Sequence, residues 1–85
     1  MPQVTVTAST PDALPSMPQF QTWIQAWSTA TPNAVWGQPL TNANVATINV
    51  MNLSVERISE VIQSDINAYN QTNTGDKTIT VVIEE

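Results

Sequence analysis

No cysteine and no histidine occur among the 85 residues. The first absence rules out disulfides and thiolate metal ligands; the second removes the commonest general base and metal ligand. Only two side chains are basic, Arg57 and Lys77. That is too few for a phosphate footprint, so nucleic acid is not an expected partner. There are two glycines, and neither stands in a phosphate-cradling loop. No apolar run approaches the roughly 18 residues that span a bilayer, so no membrane is expected either. The opening stretch MPQVTVTAST has neither the basic nor the apolar part of a signal peptide, and synthesis in the cytoplasm without standard export is the expectation.

Charge is scarce as well as unbalanced. Residues 1–55 contain one charged side chain, Asp12, and the whole chain has a formal net charge of −5. Polarity comes instead from twelve Thr, eight Asn, seven Gln and six Ser. Amides and hydroxyls cost less to desolvate than ions, so a surface of this kind suits contact with other protein. Three tryptophans argue against a disordered chain. At this length the chain forms one domain with a modest core, burying roughly 60–65% of its unfolded surface.

The longest periodic stretch is SVERISEVIQSDINAYN, Ser54 to Asn70. Val55, Ile58, Ile62, Ile66 and Tyr69 fall three or four apart, along one face of a helix. Glu56 and Glu60 stand in its first turns, where the helix dipole favours acids. Asn52 or Ser54 is positioned as N-cap, and Gly75 is the expected left-handed residue of the exit turn. Upstream the boundary stays open. Ile48, Met51, Val55, Ile58, Ile62 and Tyr69 also fit an a/d heptad frame, broken only by Asp65 at a d position, and β-branched residues at a and d favour three strands. In that reading Ile48, Met51, Val55, Ile58, Ile62, Asp65, Ile66 and Tyr69 form an oligomer interface, with a cation of another chain meeting Asp65. The alternatives are an ordinary amphipathic helix packed on the chain's own core, and a strand over Thr47 to Leu53.

Before this stretch, Val4 to Ala8 alternates as a short strand, and STPDALPSMP follows with three prolines that forbid regular pairing. Residues 1–15 are expected to be an extended arm. Ser16 with Gln19 fits a capping box for a helix over about 17–29, whose Phe20, Trp23 and Trp27, with Trp36 in the following loop, form either core or a docking surface. Thr41 and Asn44 are possible earlier caps for a long helical segment over 41–70. In 76–85, Ile79, Val81 and Ile83 share one face of a strand that pairs either with Val4 to Ala8 or with another subunit. The fold class expected is α+β: two helices, about 17–29 and 48/54–70, with short N- and C-terminal strands, completed by oligomerisation through the long helix.

Chemistry finds little purchase. Glu56 and Glu60 share a polar helix face with Arg57 and read as solvated. A calcium loop begun at Asp65 puts Asn70 where glycine is required. No catalytic residue, metal ligand or cofactor site is therefore expected, and the protein reads as a non-enzyme. The nearly chargeless first 55 residues, the arm STPDALPSMP, the heptad-like Ile48 to Tyr69 and the strand TITVVIEE together resemble small structural proteins of tailed-bacteriophage virions, of the head-fibre or capsid-decoration type. The resemblance implies a virion component that self-associates, often as a trimer, and docks on a capsid protein through Met1 to Leu40. A small monomeric module binding a ligand or peptide on Trp23, Trp27 and Trp36 is the rival reading.

Overall fold

Alternation and periodicity partition the chain in a computed structural model that describes residues 2–72 and 77–85. Strand β1 runs Gln3–Ala8, helix α1 Met17–Ala30, β2 Val35–Trp36, β3 Leu40–Asn42, β4 Val45–Met51, helix α2 Val55–Thr72 and β5 Ile79–Glu84. The class is α+β, with all strands antiparallel in one sheet. Gly75 and its expected turn lie outside the described residues.

The strand order is β2–β4–β1–β5, with β3 pairing β4 alongside β2. Gln3 lies opposite Asn49 on one side and Glu84 on the other, so the supposed arm is corrected: Gln3–Ala8 is the interior strand of the sheet. Its prolines act only afterwards, where Pro11–Ala13 makes a short 3-10 turn. There Ala13 and Pro15 are buried, and the Tyr69 hydroxyl donates to the Ala13 carbonyl at 2.8 Å. Of the two partners expected for the C-terminal strand, β1 takes it. The radius of gyration, 12.1 Å, matches the roughly 12 Å of a compact chain of this length, and β1 is held within the sheet on both sides.

Residues 48–53 are strand and turn, which corrects both the heptad frame and the helical segment over 41–70. β4 alternates Ala46, Ile48 and Val50 inward, each fully buried. A two-residue turn, Ala43-Asn44, links it to β3, with Ala43 at φ 53° and Asn42 opposite Val45. Asn44 is no helix cap: its side-chain amide donates to the Ala8 carbonyl at 2.6 Å. At the far end Asn52, at φ 64°, turns the chain in the left-handed region that asparagine tolerates. Ser54 then caps α2 by accepting the Arg57 N–H at 3.2 Å, as Ser16 caps α1 by accepting that of Gln19 at 3.3 Å. Gly37 is required by close approach: its N–H donates to the Asn49 carbonyl at 2.8 Å, and a Cβ there would stand 3.2 Å from that oxygen.

Both helices cover the same face of the sheet. Phe20, Trp23 and Trp27 from α1 and Ile58, Ile62 and Ile66 from α2 join Val4, Val6, Ala46, Ile48, Val50 and Ile79 in one core. Two layers close one core and leave the other sheet face uncovered. Where α2 ends, the Asn70 side chain accepts the Ile79 N–H at 2.8 Å and donates to the Ile79 carbonyl at 3.0 Å. Asn70→Ala leaves two partly buried backbone groups without these partners, so a loss of about 1–3 kcal/mol is expected. Urea denaturation reads that loss, and a change under about 0.5 kcal/mol would show water replacing the amide at no cost.

Candidate interaction surface

Period-two alternation sends Thr5, Thr7, Thr47, Val45 and Val82 to the uncovered side of the sheet. The registers set Leu40, Thr47, Thr5 and Val82 in one row across all four strand positions, with Asn42, Val45, Thr7 and Thr80 in the next. Val35 and Met51 pair at one corner, and Gln3 reaches the Asn49 side chain at 3.5 Å. Four of the large apolar side chains that stand exposed are here: Leu40 (65%), Val35 (55%), Met51 (48%) and Val82 (48%). Among the described residues of this face the sole charge is Glu84, at a corner. The face is therefore threonine-rich, apolar in patches and almost free of ions among the described residues.

The opposite side of the molecule carries the charges of α2. Glu56, Arg57 and Glu60 project from α2, with an Arg57–Glu60 pair at 3.7 Å that is well exposed on both partners and contributes little.

The expected oligomer interface divides. Ile58 (0%), Ile62 (2%) and Ile66 (5%) are buried in the chain's own core, and Ile48 (0%) lies in β4, not on a helix. Val55 and Tyr69 are half-buried. The helix face assigned to an intersubunit seam is thus occupied by the chain's own sheet, which corrects that assignment. Asp65 also has its partner within the chain: its Oδ2 accepts the Trp27 indole N–H at 2.7 Å, so no cation from a neighbour is called for. Met51 alone of the eight stands exposed, on the open sheet face.

The aromatic residues come together, but inward. Trp23 stacks on Trp27 at 5.6 Å and meets Tyr69 edge-on at 5.5 Å, Phe20 meets Trp23 edge-on, and Trp36 tilts against Trp27 at 5.4 Å. Thr31 serves this cluster as a buried polar hinge, accepting the Trp36 indole N–H at 3.0 Å and donating to the Trp27 carbonyl at 2.8 Å. Phe20, Trp23 and Trp27 are buried and Trp36 half-buried, so the rings are core and not a docking surface. A shallow cleft of about 290 Å³ between the helices is lined by Gln19, Trp23, Asp65, Ala68, Tyr69 and Thr72. It is at the lower limit for a small-molecule site.

Among the described residues no group of three or more acidic side chains is placed to hold a metal, and no helix is long and apolar enough to cross a membrane. The open sheet face was missed by sequence reasoning. Its signal was present in the polar residues at alternate positions, Gln3, Thr5 and Thr7 in β1 and Thr47 and Asn49 in β4, but reading it required knowing that both helices fall on the other side. No protein-family model, curated protein or solved structure matches this chain.

Proposed function

We propose that the protein is a non-enzymatic assembly subunit that lays the open face of its sheet on the surface of a larger protein structure and associates with copies of itself. The observation that carries the reading is the uncovered face itself, with Leu40, Val35, Met51 and Val82 exposed on it and one charge at its corner. Four strand positions about 4.8 Å apart and about six residues long give roughly 400 Å² in plan. Docking then buries on the order of 800 Å² in total, less than the roughly 1,200 Å² of a stable specific contact and in the range of a weak one. One subunit alone holds weakly, and repetition across a lattice raises the effective affinity. A tailed-phage capsid is the proposed setting, on the strength of the compositional resemblance, and a place in the virion follows from it. The trimer implied by the heptad frame loses support because the turn at Asn52 interrupts the frame and Ile58 and Ile62 are buried in the chain's own core.

The test is co-sedimentation of the purified chain with phage capsids stripped of their decoration, wild type against Thr47→Glu. An ion placed at the middle of the face must be desolvated without a partner, so retention is expected to fall at least tenfold, about 1.4 kcal/mol. Equal retention of both proteins would remove the sheet face as the docking surface. No retention of either would remove the capsid.

A further inference from the structure

The two edges of the sheet are treated differently. On the outer side of β4, β2 and β3 occupy the pairing groups in tandem, with the Gly37–Asn49 hydrogen bond between them. The other edge is β5. The Ser9 N–H to Thr78 carbonyl bond, 2.9 Å, fixes the phase of the β1–β5 ladder. Alternation then turns the N–H and C=O groups of Thr80, Val82 and Glu84 toward β1 and those of Ile79, Val81 and Ile83 outward. Asn70 bonds to both outward groups of Ile79 and so stands where a neighbouring strand would. Beyond it the edge reads Val81-Val82-Ile83, with none of the proline, bulge or inward charge that usually guards such an edge.

We infer that β5 pairs antiparallel with β5 of a second copy, in the register that sets Val82 opposite Val82. A register that sets Val81 opposite Val81 brings Ile83 against Ile79 and displaces Asn70. The Val82-centred register brings only Glu85, which follows β5, opposite Ile79, so no residue of the strand itself takes the place of Asn70. It joins Val81 to Ile83 twice across the two-fold axis, giving four intermolecular backbone hydrogen bonds, and it covers the half-buried Val81 and Ile83 further. Charge favours a second copy over a foreign strand. The edge has Lys77 before it and Glu84 and Glu85 after it, so antiparallel pairing brings the acidic end of one copy toward Lys77 of the other, with Glu84 opposite Thr80. The two-fold axis stands perpendicular to the sheet, so both open faces look the same way. The inference deepens the self-association in the proposed function and is independent of what the open face docks on.

Val82→Cys tests it in a chain that has no other thiol. Val82 would face its copy at a non-hydrogen-bonded site, where Cα atoms stand about 4.5 Å apart, within disulfide reach. Mild oxidation is expected to convert most of the chain to a covalent dimer, while Asn49→Cys, exposed on the open face, stays monomeric. Val81→Pro removes an N–H that points away from β1, and is expected to abolish the dimer in sedimentation while the circular dichroism stays that of the wild type. Cross-linking at Asn49 as efficient as at Val82 would overturn the edge in favour of face-to-face contact. A wild type that sediments as an oligomer while Val82→Cys does not cross-link would overturn the edge and leave self-association standing. A wild type monomeric at every concentration would overturn both, with the docking of the open face untouched.

Discussion

Replacing Ile58 by alanine is expected to destabilise the folded chain by about 2–5 kcal/mol and to leave the association of the remaining folded molecules unchanged. Ile58 is fully buried, one turn from Ile62 and two from Ile66, under the same sheet. Truncation there removes three carbons from a packed site and leaves a cavity between two layers that share one core. A domain of this size has a total stability of about 4–13 kcal/mol, so the loss is a large fraction of it and lowers the melting temperature by about 8 °C or more. The measurement pairs urea denaturation of the variant with its sedimentation. A seam residue would show the reverse pattern, an intact fold and a lost oligomer, and that result would return α2 to an intersubunit role.

Trp27→Ala is expected to have a still larger effect, about 3–5 kcal/mol from packing alone, and to leave much of the chain unfolded at 37 °C. Trp27 is stacked on Trp23, tilted against Trp36 and 2% exposed. Its indole N–H also supplies the 2.7 Å bond to Asp65, whose carboxylate is left half-buried without that donor. Trp27→Phe separates the two contributions, keeping a ring while removing the N–H, and a loss of about 1–3 kcal/mol is expected from the bond. Asp65→Ala, which removes the acceptor, compared alone and together with Trp27→Phe, measures the coupling. Additive losses in that cycle would mean that the carboxylate and indole do not interact in solution, and that Asp65 is held by something else.

These residues also show what was legible beforehand. The helical periodicity of Phe20, Trp23 and Trp27 and of Ile58, Ile62 and Ile66 is local, and both helices lie where it places them. So do Ser16 as a cap and the alternation of Ile79, Val81 and Ile83. β4 was obscured because its outward positions include Val45 and Met51, which blur the alternation of Ala46, Ile48 and Val50 and let Ile48, Met51 and Val55 read as helix. The hairpin leading into it turns on Ala43-Asn44 and lacks the Asn-Gly that ordinarily announces such a turn. The partner of Asp65 lies 38 residues away, and nothing in local spacing points to it. The open face, likewise, exists only once the helices have chosen a side.

The interior strand β1 precedes both of its neighbours in the sequence. Gln3 sits between Asn49 and Glu84, so a polypeptide leaving the ribosome can lay β4 against β1 well before β5 exists. At ordinary elongation rates the wait for β5 is on the order of seconds. Throughout it, the side of β1 that β5 will occupy stands unpaired on QVTVTA, a strand without a single charge to keep neighbouring nascent chains apart. Contacts of such long sequence separation also form slowly. Crowding on a polysome is therefore the circumstance in which this chain is most exposed to mispairing, and β1 is the strand through which it would occur.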